Sequence, residues 1–95
     1  MQELPKDLSV YFTTERFNAD TVPDKLLRSH TLKRGVFGRI VVLKGEVEFW
    51  VAGEPPTMVR VLPGDATVRV LPEQTHWIAP KADAEFHIEL LRSTG

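Results

Sequence analysis

The sequence predicts an all-β fold of short strands with at most one short helix, arranged as a sandwich or a barrel. Seven prolines and six glycines interrupt the chain at short intervals, which favours many short strands joined by tight turns. Between these breaks, apolar residues alternate with polar ones or form short β-branched runs. A barrel is favoured because closure removes the unpaired edges that an open sheet of this size would expose.

Local patterns place each element. Residues 10–14 are predicted to form the first strand, and residues 23–27 one helical turn, because proline is tolerated at the first helical position. Residues 36–43 are nearly all apolar, which predicts a strand buried on both faces. Residues 46–51 alternate, with Val47, Phe49 and Val51 on one face. The remaining strands are predicted at residues 58–62, 66–71, 76–79 and 84–91.

Length and composition restrict the function classes. Residues 1–95 are expected to form a single domain. The absence of cysteine excludes disulfides, thiolate nucleophiles and cysteine-based zinc sites, and it fits a reducing cytoplasm. The longest apolar run, Ile40–Leu43, is too short to span a bilayer, and Met1–Lys6 lacks the features of a secretory signal. The net charge of −1 disfavours nucleic-acid binding. We expect a cytoplasmic protein without nucleic-acid or membrane partners.

The positive charges are concentrated in one segment. No acidic residue lies between Lys25 and Lys44, and this segment holds half of the lysines and arginines. A solvated basic face is one interpretation, attraction of a small anion is a second, and nucleic-acid binding is a third. Arg39 and Arg69 lie in predicted strands, where an inward guanidinium could hold a carboxylate or oxyanion. Exposure at the surface is the alternative for both.

Several spaced motifs resemble a known family. The strand and turn of Ile40–Val47, the turn at Pro63–Asp65, and Leu71-Pro72 followed by His76 are similar to the two motifs of the cupins. A closer resemblance, running from Leu4 to Arg92, is to a small cupin-like family found as the N-terminal domain of the tellurite-resistance protein TehB and as stand-alone YeaR-like proteins. Its motifs here are Thr21–His30, Gly35–Gly38, Val42–Gly45, Leu71–His76 and Phe86–Glu89.

The resemblance implies a cupin-type double-stranded β-helix, which is a jelly-roll barrel, and a link to tellurite or oxidative stress. It does not transfer the standard cupin metal site. Gly38 stands where a general cupin has its ligand glutamate, and the usual histidine pair would fall near Leu32 and Arg34. The full tellurite-resistance protein is a methyltransferase, but its catalytic domain has no counterpart in this sequence, so methyl transfer is not expected.

The three histidines are the candidate metal ligands, because neutral imidazole is the commonest metal ligand in proteins. His30 and His76 match histidine positions of the small cupin-like family that this chain resembles. The resemblance implies a jelly roll in which the strands that carry these two histidines are adjacent. His87 and Glu89 share one face of the last predicted strand. If that face looks into the barrel, the four residues form a site suited to iron, manganese, zinc or nickel. The apolar residues on the opposite face favour the alternative, in which His87 and Glu89 point outward.

The leading functional prediction is a small stand-alone cupin that binds a divalent metal through His30 and His76, together with a small molecule or small anion. A non-catalytic binding or dimerisation module without metal is the alternative, and an interface containing Trp50 and Trp77 would favour it. A metal-dependent oxygenase or isomerase would need at least three convergent ligands. We also expect a homodimer, because a small barrel often buries an edge strand against a second copy.

Overall fold

The computed structural model describes residues 7–94, so the expectation about Met1–Lys6 lies outside the described residues. The described residues form seven strands and one short helix, and an all-β fold with a single helical turn is therefore confirmed. The helix has four residues, and no helix within residues 7–94 is long and apolar enough to cross a membrane. The elements are β1 (Leu8–Thr13), β2 (Phe17–Asn18), α1 (Asp24–Leu27), β3 (Phe37–Lys44), β4 (Val47–Val51), β5 (Thr57–Val61), β6 (His76–Pro80) and β7 (Glu85–Ser93).

The strands form two antiparallel sheets. In the first sheet β7 is central, with β3 along one side and β1 and β2 along the other, so that Phe86 pairs with both Phe17 and Val42. In the second sheet β4 is central between β5 and β6, and Phe49 pairs with Val59 and Ile78. Among residues 7–94 the two sheets do not join into a closed barrel. The predicted cupin jelly roll is therefore not confirmed.

The core draws on the inward faces of both sheets. Val47 and Phe49 of β4 are buried, as their alternation with polar neighbours predicts. Phe86 of β7 is fully buried and meets Phe17 edge-on, with ring centroids 6.0 Å apart. The buried cluster also contains Val22, Ile40, Val42, Val61, Val70, Ile78 and Ala84.

Beyond Phe37, which is buried, strand β3 is buried mainly on one face, although its apolar sequence predicts burial on both. Ile40 and Val42 are in the core, whereas Val41 is half-buried and Leu43 is exposed. The difference arises because only the inward face of the first sheet packs against the second sheet. An apolar composition shows that a strand can be buried, but the layer arrangement decides which face is covered.

The prediction of a strand at residues 66–71 is wrong. This stretch makes only an isolated antiparallel bridge, between Val70 and Gly38. The amides of Arg69 and Val70 both donate to the carbonyl of Gly38, at 3.1 and 3.0 Å, so one acceptor takes two donors and no ladder continues. Val70 is nevertheless buried in the core. The alternating pattern therefore reflects burial of single side chains rather than a paired strand.

A compact turn places α1 beside β6. The side-chain Oδ1 of Asn18 accepts hydrogen bonds from the amides of Asp20 and Thr21, at 2.8 and 3.0 Å. Pro23, in an extended conformation, then occupies the N-cap position of α1 without a side-chain capping hydrogen bond. The helix packs against β6, and the following residues lead directly to His30.

Candidate functional site

An isolated backbone bridge holds His30 and His76 together. The amide of each residue donates to the carbonyl of the other at 3.0 Å. The two imidazole rings consequently lie side by side, with centroids 4.1 Å apart and planes inclined by 61°. His76 begins β6, while His30 lies in the loop after α1. Their roles as ligands remain a prediction.

Both rings are oriented by a backbone carbonyl two residues earlier in the chain. Nδ1 of His30 lies 2.8 Å from the Arg28 carbonyl, and Nδ1 of His76 lies 2.7 Å from the Gln74 carbonyl. A carbonyl oxygen can only accept, so in each ring Nδ1 carries the hydrogen and donates it. In the neutral form Nε2 then keeps a lone pair. Metal-bound histidines commonly have this arrangement, in which the second ring nitrogen donates to a carbonyl.

His76 is held in its neutral form by its surroundings. It is 3% exposed, and among residues 7–94 it is the one polar residue that is buried. Burial lowers the pKa of His76, the hydrogen bond to the Gln74 carbonyl opposes this effect, and the neighbouring His30 lowers it further. At neutral pH the ring therefore presents a lone pair rather than a positive charge.

The two histidines line a cavity of about 700 Å³. Its interior is apolar, and its rim carries the exposed side chains of Phe12, Glu15, Lys25 and Thr31. The volume is within the range of small-molecule sites, which are typically apolar with a few polar groups. The apolar lining includes Phe17, Leu26, Leu32, Ile40, Val70, Ile78, Ile88 and Leu90.

Gly38 explains why one wall of the cavity has no carboxylate. A Cβ atom at this position would lie 3.0 Å from Cβ of Val70 and 3.2 Å from Cδ1 of Leu32. There is no space for a glutamate side chain without displacing these neighbours. The position where general cupins have a ligand is therefore a close apolar contact in this protein.

The structure separates His87 and Glu89 from the histidine pair. Ile88 and Leu90 line the cavity, so by strand alternation His87 and Glu89 lie on the opposite face of β7. There Glu89 accepts a hydrogen bond from Arg39 at 2.9 Å, and His87 Nε2 lies 3.6 Å from Glu89 Oε2. Within residues 7–94 no group of three or more His, Asp or Glu could hold a metal ion. The condition for a four-ligand site, an inward-facing pair, is not met.

Other candidate residues also lie away from the cavity. Trp50 and Trp77 are cross-strand neighbours on the outer face of the second sheet, stacked with ring centroids 5.9 Å apart and planes 6° from parallel. The Gly38–Val70 bridge places Arg39 opposite Arg69 on the outer face of the first sheet. Nε of each arginine is buried and has no hydrogen-bond partner among the described residues.

Three apolar residues from the N-terminal third of the chain line the cavity and were not predicted as site residues. They are Phe12, Phe17 and Leu26. Phe12 pairs with Leu90, and Phe17 pairs with Phe86, so β7 determines their positions. The sequence shows that these residues are apolar. Apolar character alone does not distinguish a residue of a cavity wall from a residue of the core.

Comparisons with known proteins agree with this architecture. The family model of the TehB-like domain matches residues 13–88 of the sequence. The solved structure of TehB from Haemophilus influenzae superposes with a TM-score of 0.83 at 22% identity, covering 93% of this chain. This chain spans 32% of that one. A protein from E. coli strain K12, solved by a structural genomics consortium, gives a TM-score of 0.84 at 25% identity, with 100% of both chains covered. No curated protein matches the sequence. Since the matched region includes most of the chain, the protein belongs to the TehB-like domain family.

Proposed function

We propose that this TehB-like domain binds a divalent metal ion through Nε2 of His30 and His76, and a small molecule or oxyanion beside it. The observation that carries the proposal is the pair of adjacent imidazoles with both Nδ1 atoms engaged by backbone carbonyls. Both Nε2 lone pairs then remain for a ligand at the wall of the cavity. The neutral state of His76 favours cation binding, since a metal ligand must be deprotonated.

Two imidazole nitrogens suit a metal site in which water or a bound small molecule supplies the remaining ligands. Imidazole nitrogen is a good ligand for zinc, iron and nickel, and also occurs in manganese sites. Two protein donors leave further coordination positions for water or for donor atoms of a small molecule. Within the described part of the chain, Glu15 is the one carboxylate of the cavity lining, and it lies at the rim. Such a site is expected to bind metal less tightly than one with three or four protein ligands.

Metal uptake tests the proposal. Metal-stripped protein is titrated with zinc, iron, manganese and nickel by calorimetry, and the bound metal is then measured by elemental analysis. His30→Ala and His76→Ala should each abolish near-stoichiometric uptake, and His87→Ala is the matched control because His87 lies on the outer face. Circular dichroism establishes that each variant folds. Failure of the wild type to take up any of the four metals would refute metal binding.

A role in tellurite or oxidative stress in the cytoplasm belongs to the same proposal, with the shared domain of TehB as its support. The cupin-type jelly roll is a further part of the proposal, and two antiparallel sheets with a cavity between them support it. Expression of the chain in a tellurite-sensitive bacterium should raise the tolerated tellurite concentration. Expression of the His30→Ala, His76→Ala double variant should not. Equal protection by both would contradict a role for the histidine pair.

A dimerisation module is a second candidate function, favoured by the character of β1. This six-residue edge strand contains no charged residue and no proline, and its Val10, Tyr11 and Phe12 are exposed apolar side chains. Edge strands of monomers usually carry charges or prolines that block pairing with another chain. We propose that β1 pairs with β1 of a second copy. Tyr11→Lys should then convert a dimer to a monomer in light scattering, whereas Val59→Lys, on edge strand β5, should not. A monomeric wild type would refute this candidate.

A further inference from the structure

We propose that the cavity binds a neutral, largely apolar molecule whose hydroxyl group donates a hydrogen bond to the His30–His76 pair. The ligand class is an alcohol or phenol, rather than a carboxylate. The inference rests on the proposed function in that it uses the same cavity and the same two histidines. It concerns the metal-free protein, so its test does not depend on metal uptake.

The size and lining of the cavity define the body of the ligand. A volume of about 700 Å³ is several times that of a single aromatic ring. The interior surface is provided by apolar side chains from α1 and from both sheets, including Leu26, Ile40, Ile78 and Ile88. Transfer of an apolar body from water into this space is favourable in proportion to the area buried. A molecule of two fused rings is therefore a better match than a small polar metabolite.

The hydrogen-bonding character of the cavity defines the head of the ligand. Because each Nδ1 donates to a carbonyl, the neutral form of each imidazole offers only an acceptor, at Nε2, to a molecule in the cavity. A hydroxyl hydrogen fits such an acceptor, whereas a carboxylate would place negative charge against lone pairs. Thr14, another polar lining residue, already donates to the Glu15 carbonyl and accepts from the Ile88 amide. The buried part of the cavity therefore selects a donor.

The positive charge that could attract an anion lies elsewhere. Lys25 is exposed at the rim, and among residues 7–94 it is the one lysine or arginine of the cavity lining. The ring of His76 is buried, and its Nδ1 is already engaged by the Gln74 carbonyl. An anionic ligand would therefore lose its hydration inside the cavity without gaining a buried countercharge. A neutral hydroxyl compound has no such cost.

Three related probes isolate the head group. β-Naphthol, its methyl ether and naphthoate share the same ring system, but only the naphthol is both neutral and a hydrogen-bond donor. Their affinities are measured by isothermal titration calorimetry at pH 7.5 with a chelator present. β-Naphthol should bind about tenfold more tightly than either analogue, which corresponds to one good hydrogen bond of about 1.4 kcal/mol. His76→Phe should reduce the affinity for naphthol to that for its ether, and His87→Phe, on the outer face, should leave the tenfold preference unchanged.

The outcomes separate this inference from the metal proposal. Equal affinity for naphthol and its ether, tightest binding of naphthoate, or no binding of any probe would each overturn it. His30→Phe provides a second test if the buried His76→Phe variant does not fold, because His30 is only half-buried. A wild type that takes up no metal but prefers naphthol would refute the metal site alone. A wild type that takes up metal but shows no preference would refute the hydroxyl ligand alone.

Discussion

Gly38→Ala should destabilise the protein, although alanine is normally the better residue in a regular element. The added Cβ would lie 3.0 Å from Cβ of Val70 and 3.2 Å from Cδ1 of Leu32, both closer than ordinary van der Waals contact. Overpacking of a well-packed interior costs about 1–3 kcal/mol. Replacing glycine also reduces the entropy of the unfolded chain, which returns about 0.4–1 kcal/mol. We therefore expect a net loss of about 1–2 kcal/mol in the free energy of unfolding.

Urea denaturation, followed by tryptophan fluorescence at one protein concentration, measures this loss. The control is a double-mutant cycle with Val70→Gly, because removing the Val70 side chain eliminates its contacts with the new methyl group. The double variant should lose about 1 kcal/mol less than the sum of the two single variants. A Gly38→Ala variant as stable as the wild type would refute the steric argument, and so would strictly additive losses.

Three further predictions concern other parts of the molecule. Burial lowers the pKa of His76 below its ordinary value of 6.5, so the unfolded state takes up its proton first. Stability should fall as pH decreases from about 6.5 to the folded pKa, by at most about 1.4 kcal/mol per pH unit, and His76→Phe should lack this contribution in urea titrations. Glu89→Ala leaves half-buried Arg39 without its 2.9 Å partner and should cost about 1–2 kcal/mol by the same method. The stacked Trp50 and Trp77 should give an exciton couplet in far-ultraviolet circular dichroism that Trp77→Phe removes.

The controls for these predictions come from the same chain. Arg16 forms an exposed ion pair with Glu85, and Arg16→Ala should change stability by less than about 0.5 kcal/mol. An equal effect of Arg16→Ala and Glu89→Ala would show that burial does not strengthen the Arg39 pair. Identical pH profiles for wild type and His76→Phe would contradict the burial argument for His76. A couplet that persists in Trp77→Phe would contradict the stacked geometry.

Strand positions were predicted well where alternation and turn residues coincided. β4 is such a case, since Val47 and Phe49 alternate with glutamate and tryptophan, and Gly45 and Gly53 bound the strand. Residues 66–71 have the same alternation but form no strand, because their one backbone bridge, between Val70 and Gly38, does not extend into a ladder. A periodic pattern records which side chains are buried. It does not record whether a neighbouring backbone is available for pairing.

Two residues of the candidate site could be predicted from the sequence, but the rest of its lining could not. His30 and His76 could be selected because imidazole is rare in this chain and each ring matched a family position. The orientation of β7 could not be decided in advance, since its two faces carry apolar residues on one side and His87 and Glu89 on the other. Packing of Ile88 and Leu90 against the cavity settles that orientation, because burying apolar area outweighs any preference of the polar pair.

The sequence by itself determined the all-β class, the position of the helical turn and the family of the chain, because these depend on local conformational preference and on motifs in order. Only the tertiary structure decided which histidines meet, which face of β7 is inside, and that Gly38 closes the wall against Val70. These features depend on contacts between residues such as 30 and 76, or 38 and 70, that are far apart in the chain. Such contacts form when apolar surfaces of the two sheets are buried together, and no local pattern specifies them.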